Sequence, residues 1–199
     1  MNRDRLEAFS DGVFAVAITL LALSLAVAGP GHGSLAHQLA DRWPAFVAYV
    51  VSFFTVGIIW VNHHALVSNI VVVDRMLLFL NLVLLLFVVM VPFATGTVAD
   101  YLSRGGFDSR VAVALYGVVL TGMSIGFASM FEWSLRPGRT RTQLPRDLWW
   151  SARRRFVFGG VVYVAVIGLA FASAPAAFAL AGAVAVYYVF ERTPLRKQA

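Results

Sequence analysis

Apolar residues run along this chain in six long stretches, at about 9–27, 44–67, 76–97, 111–130, 156–174 and 176–190, each bounded by Gly, Pro or charged residues. A helix needs about 20 such residues to cross a hydrocarbon core about 30 Å thick. With their flanks the stretches predict six transmembrane helices, over about 4–28, 44–70, 74–99, 109–134, 148–174 and 176–191. The expected fold is therefore an all-α membrane protein, with residues 1–199 forming a single six-helix domain. The connections are short except for the segment 134–155. Pro44 falls in a first turn, where proline sacrifices no helical hydrogen bond. Pro92 interrupts the third stretch, where it frees a backbone carbonyl and invites a kink.

Composition agrees with the pattern: 60% of the residues are hydrophobic and only 13% charged, against about a quarter charged in a soluble domain. Cysteine is absent, which excludes disulfides, thiolate metal sites and Cys nucleophiles. The net charge of +6 does not read as a nucleic-acid footprint, because the Arg residues lie in short connections between apolar runs and not on a polar face. A signal peptide is disfavoured at the N-terminus, since Arg3 and Arg5 are offset by Asp4, Glu7 and Asp11.

Lys and Arg placement predicts the orientation. With the N-terminus inside, the inner segments hold Arg3, Arg5, Arg75, Arg136, Arg139, Arg141, Arg146, Arg153, Arg154, Arg155, Arg192, Arg196 and Lys197, and the outer connections only Arg42, Arg104 and Arg110. Both termini are expected in the cytoplasm. Trp149 and Trp150 read as interfacial anchors, and the Arg-rich inner segment as a topology determinant or a contact for anionic lipid. Gly122 and Gly126 form a GxxxG ridge, and Ala177, Ala181 and Ala185 repeat small residues; both suit close helix packing within one subunit. No three-helix repeat is evident, so a pore would have to arise by oligomerisation.

Ionisable or strongly polar side chains at membrane depth cost several kcal/mol unless partnered, so each is a functional hypothesis. Asp11, the run Asn62-His63-His64, and Asn81 qualify. At about 1.5 Å rise per residue, all three lie roughly 9 to 10 Å in from the cytoplasmic ends of their helices. With Ser10 they form one polar layer, which Arg5 could cap from the inner surface. The layer is either a buried clamp fixing the first helix or a gate latch sensitive to protons through its histidines. No metal site is expected, because the adjacent His63 and His64 diverge by about 100° on a helix. Nor is an enzyme, since no nucleophile elbow or Gly-rich loop accompanies these residues.

On the first helix, Phe9, Gly12, Val16, Leu20, Leu23 and Val27 share one stripe at about 100° per residue, Thr19 flanks it, and Asp11 points some 140° away. Such a stripe meets lipid, a neighbouring helix or a pore.

The segment Arg5-Leu6-Glu7-Ala8-Phe9-Ser10-Asp11 resembles the R-x-x-x-F-S-D signature of the transmembrane protein 175 family, potassium channels of lysosomes and prokaryotes. The resemblance extends through Gly12 to Leu21, then Trp60-Val61-Asn62-His63-His64, Asn81 and Pro92-Phe93. It implies a homotetramer in a prokaryotic plasma membrane, with the first helix of each subunit around the axis and potassium as the permeant ion. It implies pore-lining roles for Val16, Thr19, Leu20 and Leu23. Arg5, Phe9, Ser10, Asp11, Trp60, Asn62, His63, His64 and Asn81 then form the structural or gating network. No cofactor is implied. Rings of Val16, Leu20 and Leu23 would make an apolar constriction that gates by dewetting. The competing readings are a proton-coupled transporter using Asp11, His63 and His64, and a non-conducting membrane scaffold.

Overall fold

The computed structural model describes residues 2–142 and 145–190, with the backbone alone for residues 146–148; Arg192, Arg196 and Lys197 lie outside the described residues. The described chain is helical: α1 (Arg3–Leu20), α2 (Leu35–Asp41), α3 (Trp43–Ser68), α4 (Arg75–Tyr101), α5 (Gly106–Ser134), α6 (Arg146–Ala172) and α7 (Ala174–Phe190). A 3-10 turn over Leu21–Leu25 extends α1, and another over Leu102–Arg104 follows α4.

Five of the spans are long and apolar enough to cross a membrane, Arg3–Leu25, Trp43–Ser68, Arg75–Arg104, Gly106–Ser134 and Trp149–Ala172. The apolar α7, with 17 described residues, reaches about 25 Å, a little under the hydrocarbon thickness.

Local chemistry sets the helix ends. The side chain of Asn2 caps α1 by accepting the Arg5 N–H, and Asp74 caps α4 by accepting the Leu77 N–H. The first span ends at Leu25, short of the expected 28: Ala26 already turns out of the helix at φ −57° and ψ 138°, ahead of Gly29, Gly31 and Gly33, which all take positive φ. Arg42 then fastens this end: its Nε donates to the Ala26 carbonyl at 2.8 Å and its Nη1 to Asp100 at 3.4 Å. The short α2, absent from the sequence expectation, starts at Ser34, whose hydroxyl accepts the His37 N–H. Between α6 and α7 only Ser173 is extended, just ahead of Pro175.

One continuous core runs through all the long helices. The α4–α5 and α5–α6 pairs are its most intimate, and α1 packs chiefly on α3 and α4. The GxxxG ridge explains the first of these: a Cβ on Gly126 would lie 2.8 Å from the Leu84 Cα, and one on Gly122 would lie 2.2 Å from the Phe87 ring. Between three of the helices, Thr95 donates to Ser52 at 2.7 Å, and Ser52 bonds Tyr116 at 3.0 Å. This buried triad joins α3, α4 and α5.

Facing the predicted interior side, the segment after α5 folds back onto the α3–α4 turn. Val71 N–H donates to the Arg139 carbonyl at 2.9 Å and Arg141 N–H to the Asn69 carbonyl at 2.8 Å. The Arg139 guanidinium bonds the Asp74 carboxylate and lies 4.4 Å over the Trp133 ring.

Candidate functional site

Helix α1 carries two surfaces. Leu6, Ser10, Phe14, Ala17 and Leu21 recur at spacings of three and four and are buried. On the opposite side Phe9, Val16, Thr19, Leu20 and Leu23 are exposed in the single chain, Leu23 by 72% and Val16 by 55%. Thr19 donates its hydroxyl to the Val16 carbonyl at 2.8 Å, which leaves its oxygen lone pairs outward. A helix with one face built into a core and the other apolar and uncovered lacks a partner for that second face among the described residues.

The buried face continues into a polar chain linking α1, α4 and α3. Ser10 donates to the Leu6 carbonyl at 2.9 Å and accepts from Asn81 Nδ2 at 3.0 Å. Asn81 Oδ1 lies 2.8 Å from His63 Nε2, so with that oxygen as acceptor the proton of His63 sits on Nε2. Ser10, Asn81 and His63 are all within 1% of complete burial. The His63 ring also stacks at a tilt, 5.4 Å from Phe14. Its Nδ1 has no hydrogen-bond partner among the described residues.

A second, more open pairing lies beside it. Trp60 Nε1 donates to Asp11 Oδ1 at 2.8 Å, and His64 Nδ1 approaches Glu7 Oε1 to 2.9 Å. The adjacent histidines therefore serve different partners, as their divergence on one helix requires. Neither imidazole meets Asp11 by a hydrogen bond; an indole does. Glu7, which the sequence reading passed over, takes His64. The signal was present: Glu7 precedes Asp11 by one turn and so shares its face.

Three expectations change in the structure. Arg5 is exposed, and among the described residues no hydrogen bond or ion pair ties its side chain to the layer. Six residues separate it from Asp11, which puts it about 120° round the helix. Arg3 reaches inward instead, donating to the Ser68 carbonyl at 3.1 Å. Phe9 is exposed with the stripe, away from the polar chain. Asn62 donates to the Ile58 carbonyl at 2.9 Å and lines a cavity of about 40 Å³ with Ser124, Tyr163 and Tyr188, between α3, α5, α6 and α7.

A potassium channel of Streptomyces collinus is 44% identical to this chain over 195 residues, covering 96% of it and 93% of that protein. The chain belongs to the TMEM175 family. The family model described as endosomal/lysosomal potassium channel TMEM175 matches residues 5–92, the part that carries α1, α3 and the polar chain. A second TMEM175 relative, a potassium channel of Chamaesiphon minutus, is 32% identical over 190 residues, 92% of each chain. The crystal structure of a lysosomal potassium-selective TMEM175 homolog from Chamaesiphon minutus superposes with a TM-score of 0.82 at 31% identity, covering 94% of this chain and 96% of that one. As a TMEM175 member with these apolar helices, the chain is a multi-pass membrane protein.

Proposed function

We propose that this chain is the subunit of a potassium-selective channel in the plasma membrane of a prokaryote, with four copies around a pore lined by α1 and both termini in the cytoplasm. The observation that carries this reading is the exposed apolar face of α1, set directly opposite a face fixed by Ser10, Phe14 and the Asn81–His63 pair. Membership of a family with members named as potassium channels supports it.

In that assembly Val16, Leu20 and Leu23 form successive apolar rings, and an ion crosses them only by giving up part of its hydration. Potassium sheds water at lower cost than sodium, so a narrow apolar ring favours potassium without a cage of carbonyls. Thr19 hydroxyls replace some of the lost water. When the rings close further, the segment empties of water and conduction stops. The six apolar helices span the bilayer, α7 among them, and the polar chain holds α1 in register while its other face meets the ions.

The test is ion flux from liposomes under opposed potassium and sodium gradients. Potassium flux should exceed sodium flux. Leu23→Asn should raise the total flux, and Thr19→Ala should cut the preference about fivefold, the value of one hydrogen bond near 1 kcal/mol. Uptake that is saturable, proton-driven and indifferent to Leu23 would replace the channel with a coupled transporter.

A further inference from the structure

At the inner end of α1, Glu7, Asp11 and His64 offer two carboxylate oxygens and one imidazole nitrogen, all within 4.8 Å of one another. Glu7 and Asp11 are one turn apart on α1, and His64 comes across from α3. Glu7 is well covered, with 19% of its side chain exposed, whereas His64 remains 53% exposed. Among the described residues no Arg or Lys makes an ion pair with either carboxylate. Two partly covered carboxylates side by side, answered among the described residues by an indole N–H and an imidazole, favour a cation.

We propose that Glu7, Asp11 and His64 form a site for a divalent transition-metal ion of the zinc type, open to the cytoplasm through His64. The donor set selects the class. Imidazole suits zinc, copper, iron and nickel, whereas calcium and magnesium require six or more oxygen ligands. A tetrahedral ion at about 2.0 to 2.2 Å from its ligands holds them roughly 3.3 to 3.6 Å apart. His64 Nδ1 and Glu7 Oε1 already lie closer than that, at 2.9 Å, and separate slightly as the ion replaces the proton between them. Asp11 closes the remaining gap by side-chain rotation, and water fills the fourth position. Trp60 holds the Asp11 carboxylate through Oδ1 and leaves Oδ2 for the ion. The ion neutralises both carboxylates and joins α1 to α3 at the membrane's inner edge.

Chelator-stripped protein in detergent, titrated with Co2+ by its visible absorption and with Zn2+ against a chromophoric chelator, tests this. The expected result is one ion per chain in the wild type. Glu7→Gln and His64→Gln each weaken binding by at least about tenfold, while His37→Gln, at the exposed His37–Asp41 pair, leaves it unchanged. Zn2+ should also raise the thermal midpoint of the wild type and not that of Glu7→Gln. If His64→Gln does not fold, Glu7→Gln alone decides. Wild-type-like binding in Glu7→Gln, or no saturable binding in the wild type, overturns the proposal. The readout involves no ion flux, so its failure leaves the channel reading untouched.

Discussion

At the scale of single residues, the polar chain behaves as a fixed joint. Asn81 uses its amide oxygen for His63 and its amide nitrogen for Ser10, so removing it strands the buried His63 Nε2–H and takes the inter-helix donor from Ser10, which keeps only its bond to the Leu6 carbonyl. Asn81→Ala should cost about 2 to 3 kcal/mol and lower the thermal midpoint in detergent by roughly 5 to 10 °C; an unchanged midpoint would mean that the joint carries no stability. That Ser10, Asp11, His63, His64 and Asn81 share one layer was legible in the sequence, because helical rise alone fixes depth. Their pairings were not. Which side chain meets which depends on the rotation of one helix against the next, and that is decided by packing far from the polar residues. Thus Trp60 answers Asp11, Glu7 answers His64, and Asn62 turns toward the cavity among α3, α5, α6 and α7.

At the scale of elements, glycine decides which helices touch. On α5, Gly126 faces the Leu84 backbone, which cannot yield to a Cβ, whereas a Cβ on Gly168 of α6 meets nothing within 4 Å. Gly126→Ala should destabilise by about 1 to 3 kcal/mol through overpacking, and Gly168→Ala should be neutral or stabilising by up to about 1 kcal/mol; chemical unfolding of the pair in detergent checks the contrast. The clip between Arg139 and Asp74 belongs to this scale as well. The Arg139 guanidinium, helped by the Leu77 N–H, holds the Asp74 carboxyl below its usual range. A lowered pKa stabilises the fold above the ordinary carboxylate value, and that stability is lost as pH falls through the folded value. Thermal stability should therefore decline in acid below about pH 4, and Arg139→Gln should flatten that decline. A profile unaltered by the substitution would show that the clip contributes nothing. The long helices were readable because lipid demands unbroken apolar runs. The end of the first span at Leu25, the short α2 and the folding back of 139–142 were not, since glycine φ angles and loop contacts leave no periodic trace.

At the scale of the whole molecule, the chain has a packed core and an uncovered apolar side on α1. Its core is continuous through the long helices, and in the proposed channel the ion path therefore runs between chains. In the proposed channel the uncovered stripe of α1 lines the path between chains, with the buried Ser10–Asn81–His63 chain on the opposite face of the helix. The absence of cysteine makes the decisive measurement direct, because any thiol introduced is unique. Single cysteines at Leu20 and Leu23 should react with a charged, water-soluble thiol reagent, lose potassium flux on reaction, and form disulfides between subunits on oxidation. Thiols at those positions that react only with lipid-partitioning reagents, leave flux intact and never cross-link would contradict the account, since α1 would then face the bilayer.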